Sequence, residues 1–179
     1  MEGVAIETGR LVLRALTEAD YTELQAMYQD PLLHRYVGGP AVTGEEYWQN
    51  ARARWPAHYR EHGFGMWATV RREDERLLGW IGLLTKEVDG ERHVEVGYAL
   101  SPAFWGRGYA LEAARACRDW AFRNLEVPHV ISLILPVNEP SIRVAERNGM
   151  TLWKEADVKE DRLRVYRITR EEWQALAAE

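Results

Sequence analysis

The sequence predicts a mixed α/β domain of one piece. Three observations carry that expectation. Short alternating or apolar segments are interleaved with amphipathic ones. Helix caps of the Ser/Thr-x-x-Asp/Glu type recur ahead of the amphipathic runs. No internal repeat or composition break divides the 179 residues, so residues 1–8 read as a tail and 9–179 as one domain.

Arg10 to Leu16 alternates as a strand. Thr17-x-x-Asp20 then caps a helix through Leu24, Met27 and Tyr28, which should stop near Pro31. His34 to Val42, with Gly38, Gly39 and Pro40, reads as a loop. Thr43-x-x-Glu46 opens a second helix to about Gly63, and Pro56 inside it predicts a kink or a division into two. Met66–Arg71 and Leu77–Thr85 read as antiparallel strands, followed by His93–Leu100 after the Asp89-Gly90 turn.

Tyr109 to Asn124 reads as a helix with Ala110, Ala114, Cys117, Ala121 and Leu125 as its buried stripe. Val130–Leu135 is a buried strand. Asn138 caps a short helix with Pro140 in its first turn and Gly149 at its end. A hairpin, Thr151–Val158 with Leu163–Ile168, leads to a helix capped by Thr169-x-x-Glu172.

Composition narrows the function classes. The net charge of −5 disfavours nucleic acid as a partner. The single cysteine, Cys117, excludes an internal disulfide and suits a reducing compartment. No secretory leader is visible and no apolar run is long enough to span a membrane, so a cytoplasmic protein is expected. A homodimer remains open.

The segment Ser101-Pro-Ala-Phe-Trp-Gly-Arg-Gly-Tyr-Ala110 lies between a strand and a helix. Gly106 and Gly108 permit a tight turn and close backbone approach. The following helix turns free amides and its positive end to the same place. Arg107 adds a charge. Together they describe a pyrophosphate site. The motif is neither a Walker loop nor a full dinucleotide fingerprint.

Val94-Glu-Val-Gly-Tyr-Ala-Leu100, Phe104-Trp-Gly-Arg-Gly-Tyr-Ala-x-Glu112 and Asn138-x-x-Ser141 with Gly149 occur in this order, after Thr8-x-Arg10-Leu-x-Leu-Arg14. In this the chain resembles the GNAT superfamily of N-acetyltransferases. The branch is the one whose members acetylate N-termini of ribosomal proteins.

The resemblance implies acetyl-CoA as acyl donor and an amine as acceptor. It implies a central, mostly antiparallel twisted sheet flanked by helices, which splays between its fourth strand (about His93–Leu100) and its fifth (about Val130–Leu135). The pantetheine arm would lie there. Ala99 and Leu100 would hydrogen-bond the arm, and Trp105, Gly106, Arg107, Gly108, Tyr109 and Ala110 would hold the pyrophosphate. Asn138 and Ser141 would flank the sulfur. Ala145 stands where many relatives of the resembled family have a Tyr that acts as acid to the leaving thiolate, so that role is unassigned.

Amine attack needs a base. Glu95 is the first candidate and His93, on the same face of the strand, the reserve. Ser141 is a candidate proton donor, and Leu100 N–H a candidate for the thioester oxygen. Tyr36, Trp48, Trp55 and Trp67 are candidates to line the acceptor pocket. Cys117, on a small-residue helix stripe, reads as core.

Two rival functions remain. His58-x-x-Glu61-His62 matches a zinc-peptidase motif, with both imidazoles on one helical face. The other rival is a non-catalytic acyl-CoA-binding module on the same fold.

Overall fold

The computed structural model describes residues 6–37 and 44–176. The Gly38-Gly39-Pro40 loop and the Thr43 cap lie outside the described residues. The strands are β1 (Ile6–Glu7), β2 (Leu11–Arg14), β3 (Met66–Arg71), β4 (Leu77–Val88), β5 (Glu91–Leu100), β6 (His129–Ile134), β7 (Thr151–Val158) and β8 (Asp161–Thr169). The helices are α1 (Glu18–Tyr28), α2 (Pro31–His34), α3 (Gly44–His62), α4 (Tyr109–Asn124), α5 (Glu139–Arg147) and α6 (Arg170–Leu176).

All eight strands join one sheet in the order β1-β2-β3-β4-β5-β6-β8-β7. Every pairing is antiparallel except β5 with β6. The strands expected as fourth and fifth are therefore β5 and β6, because the short β1 precedes them. Residues 6 and 7, expected as part of a tail, pair with Val12 and Leu13. A two-residue strand carries too little pattern to be read from sequence.

Local chemistry explains most elements. Thr17 and Asp20 cap α1 reciprocally, and Arg14 holds the Asp20 carboxylate at 2.6 Å. β4 and β5 are longer than expected and meet at Asp89-Gly90. Both turn residues have positive φ (52° and 81°), as a two-residue hairpin of this twist requires. The charges at Lys86, Glu87, Glu91 and Arg92 mask the alternation there. α3 runs unbroken through Pro56. Buried Ala51 and Trp55 ahead of the proline anchor the helix to the sheet and offset the lost amide.

The sheet is covered on both faces. On one, α4 packs against Leu78, Ile81, Leu83, Val94, Val96 and Leu100. Its buried side is Ala113, Ala114, Cys117, Ala121 and Phe122, while Ala110 and the C-cap residue Leu125 are only half-buried. On the other, α1 and α3 bury a nest of rings: Tyr21, Tyr28, Tyr47, Trp48, Trp55 and Trp80. Strand alternation divides β5 between these faces.

His58 ties the end of α3 to β4. Its Nε2 accepts the Thr85 N–H at 2.9 Å, so Nδ1 carries the proton and donates to the Phe64 carbonyl at 2.9 Å. Burial holds His58 below the usual histidine range, and burial with His93 nearby does the same to His129. The unfolded chain therefore takes up these protons first as pH falls. The stability that neutral His58 and His129 contribute is present above about pH 6.5 and is lost below it. Urea unfolding should show lower stability at pH 5.5 than at pH 7.5, and His58→Gln should flatten that dependence.

Candidate active site

The site begins where the sheet opens. β5 and β6 pair at only two positions, Val94 with Val130 and Glu95 with Ile131. Beyond them the strands diverge. Ser132 Oγ props the apex by donating to the Val96 carbonyl at 2.8 Å. Higher up, the Tyr98 hydroxyl spans the gap and donates to the Ser141 carbonyl on α5 at 3.3 Å.

Backbone alternation decides which groups face the gap. Ser101 N–H donates to Leu78 on β4, and Val96 C=O faces Ser132 on β6. Counting by two, Ala99 turns its backbone groups to β4, where it pairs with Trp80. Tyr98 and Leu100 turn theirs into the gap. The expectation that Ala99 supplies backbone hydrogen bonds is thus corrected by one residue: Tyr98 takes that place. The Leu100 carbonyl is taken by Trp105 Nε1 at 2.7 Å, which leaves the Leu100 N–H open.

A cleft of about 290 Å³ fills the gap. It is lined by Tyr98, Ala99, Leu100, Trp105, Gly106, Gly108, Tyr109, Ala110, Asn138 and Ser141. Leu33, Tyr36 and Val37 close one side, and Arg143 and Arg147 the other. Of the candidate acceptor residues only Tyr36 is there, 6.2 Å from the Trp105 ring. Trp48, Trp55 and Trp67 are corrected to core positions. Trp48 and Trp55 belong to the ring nest under α1 and α3. Trp67 is fully buried on the opposite face, edge-on to Trp120. A sheet covered on both faces needs bulky rings to fill the layers, and these indoles do that.

The turn before α4 fits a diphosphate. Gly106 and Gly108 have φ of 74° and 79°, which a side chain would strain. The amides of Gly106, Gly108, Tyr109 and Ala110 have no partner among the described residues. The turn is braced from the N-terminus. Glu112 in the first turn of α4 accepts from Thr8 Oγ1 (2.6 Å), Arg10 N–H (2.8 Å) and Arg10 Nε (2.6 Å). Arg10 Nη1 also donates to the Arg107 carbonyl at 2.9 Å. Burial works against the Glu112 charge, yet these donors hold its carboxyl below the usual range. The Arg107 side chain is exposed and is not among the residues that line the cleft.

Asn138 caps α5, its side-chain oxygen accepting the Ser141 N–H at 3.2 Å. Glu95 and Gly97 lie on the α1/α3 face of β5, opposite Tyr98 and Leu100. A Cβ on Gly97 would sit 3.3 Å from Met66 Cε and 3.6 Å from Glu95 Cδ, so the glycine keeps space beside the carboxylate. Glu95 is 12% exposed and lies 3.7 Å from Lys86 Nζ. Burial pushes its carboxyl above the usual range, with Lys86 and the Leu133 amide opposing in part.

One expected role and one rival reading are corrected by geometry. His93 does share the Glu95 face, but its Nδ1 lies 2.9 Å from His129 Nε2 and its ring meets Trp153 edge-on. It faces the β6–β7 side and not the cleft. The His58/His62 zinc site fails because both His58 nitrogens hold backbone groups. No cluster of three metal-ligating side chains occurs among the described residues. Cys117 is fully buried and burial raises its thiol, which removes it as a nucleophile. Tyr98, Ser132 and Arg147 were not anticipated. Tyr98 sits inside a motif read for other residues, and nothing local marks Ser132 or Arg147.

The comparisons agree with this geometry. Residues 10–151 match the family model described as an acetyltransferase (GNAT) domain. The Bacillus subtilis protein YkkB is 33% identical over 80% of this chain and 83% of its own length. The crystal structure of an acetyltransferase from Agrobacterium tumefaciens is 33% identical, covers 94% of this chain and 95% of its own, and has a TM-score of 0.79. The structure of RimL, a ribosomal L7/L12 α-N-protein acetyltransferase in complex with coenzyme A, is 20% identical. It shares the fold at a TM-score of 0.73, over 93% of this chain and 98% of its own. No described helix is long and apolar enough to cross a membrane. A splayed sheet, an amide-lined turn and the matched family model together place this chain in the GNAT family of acetyltransferases, as an acyltransferase.

Proposed function

We propose that the chain transfers an acetyl group from acetyl-CoA directly to a primary amine, either a protein N-terminus or a small-molecule amine. One observation carries this reading. A single cleft holds both an unpaired stretch of β5 backbone and, at its mouth, a turn of unpaired amides. A pantetheine arm carries amides that suit the first, and a pyrophosphate suits the second.

The residues divide the work by face. Tyr98 offers the arm backbone partners, and Asn138 and Ser141 flank it on α5. The N–H of Leu100 is placed to donate to the thioester oxygen as it gains charge. Glu95, on the other face, takes a proton from the amine, directly or through water. Its raised carboxyl makes it a better base than an ordinary glutamate. The amine then forms its bond to the carbonyl carbon, the C–S bond breaks, and the thiolate needs a proton. Ser141 is one donor. The Tyr98 phenol, pushed up to about 12 mainly by burial, is another and stays protonated near neutral pH. Tyr36, with Leu33 and Val37, gives the acceptor an apolar and aromatic approach. Release of CoA thiol with a panel of amines separates this reading from a binding module without catalysis.

Two variants test the division. Gly108→Glu should abolish measurable acetyl-CoA binding in calorimetry, since it puts a strained carboxylate where the phosphates rest, while the circular dichroism stays native. Glu95→Gln should lower kcat by about 100-fold or more with CoA affinity nearly unchanged. In the parent enzyme kcat/KM should rise with pH as Glu95 loses its proton, and Glu95→Gln should lack that limb. An unaltered rate and pH profile would remove Glu95 from the mechanism.

A further inference from the structure

The wall of the cleft formed by α5 differs in kind from the amide-lined turn. Arg143 and Arg147 stand one turn apart on α5 and both line the cleft. Arg115 on α4 adds a third guanidinium beside them, its Nη2 donating to the Arg147 carbonyl at 2.9 Å. Arg143 is shared with Glu139 at 3.3 Å. Arg147 makes no ion pair among the described residues. In a chain of net charge −5, this is a local concentration of positive charge at the mouth of one cleft.

The two features suit different anions. Backbone amides on a tight turn favour oxygens that come close to the chain, as in a diphosphate. Guanidinium groups on exposed side chains favour a terminal phosphomonoester, which carries about two charges near neutral pH and accepts paired N–H donors. A ligand that uses both must carry two separate phosphate groups. We propose that Arg147, assisted by Arg143, binds the ribose 3′-phosphate of the donor nucleotide and so selects coenzyme A over its 3′-dephospho form. This rests on the acetyl-CoA reading above.

Calorimetric titration of the full chain with CoA and with 3′-dephospho-CoA tests it. The unmodified protein should bind CoA more tightly, by on the order of tenfold. Arg147→Ala combined with Arg143→Ala should erase that difference while leaving dephospho-CoA affinity unchanged. Because misfolding would weaken both ligands, dephospho-CoA serves as the internal control. Equal binding of the two ligands by the unmodified protein would overturn the inference and leave the acetyl-CoA reading intact. A parallel loss of both in a double variant whose circular dichroism stays native would do the same. Failure of CoA itself to bind the unmodified protein would overturn the acetyl-CoA reading.

Discussion

A sheet interior that leaves backbone groups unpaired must satisfy them in some other way, at a cost of about 1–3 kcal/mol for each buried group left without a partner. That constraint governs this molecule at the parting of β5 and β6. Two parallel pairings hold the strands together, and the ladder then stops inside an eight-stranded sheet. Ser132 takes the first orphan, the Val96 carbonyl, and Trp105 takes the Leu100 carbonyl. The Tyr98 and Leu100 amides are left for whatever enters the cleft. An extended ligand with amides of its own completes the ladder that the protein leaves unfinished.

The rest of the fold serves that opening. α4 must point its first turn at the mouth, and the N-terminal hairpin fixes it there through Thr8, Arg10 and Glu112. This contact explains why the Thr8-x-Arg10 segment and the glycine turn belong together, although about a hundred residues separate them. β5 itself divides the chemistry. Its even residues face α4 and the cleft mouth, and its odd residues carry Glu95 to the α1/α3 side.

The sequence revealed what depends on local chemistry. The limits of α4, the Asn138 cap and the Thr169/Glu172 cap were legible because each rests on neighbouring residues. The glycine turn was legible for the same reason. What depends on pairing across the sheet was not. Whether Ala99 or Tyr98 faces the gap turns on the register of β5 with β4, which no local pattern states. Ser132 looks like any small residue in a buried strand until β6 leaves β5. Trp48, Trp55 and Trp67 are as suited to a pocket as to a core, and only the covering helices decide. The zinc motif at 58–62 failed through a distant partner, the Thr85 amide.

The central claim is that the unpaired β5 edge and the amide turn receive one ligand together. Residue-resolved amide hydrogen exchange, with and without CoA, tests it most directly. The account predicts slowed exchange at Tyr98, Leu100 and residues 106–110 in the complex, with β7 and β1 unchanged. Binding that left the Tyr98 and Leu100 amides unprotected, or that protected another face of the sheet, would contradict it.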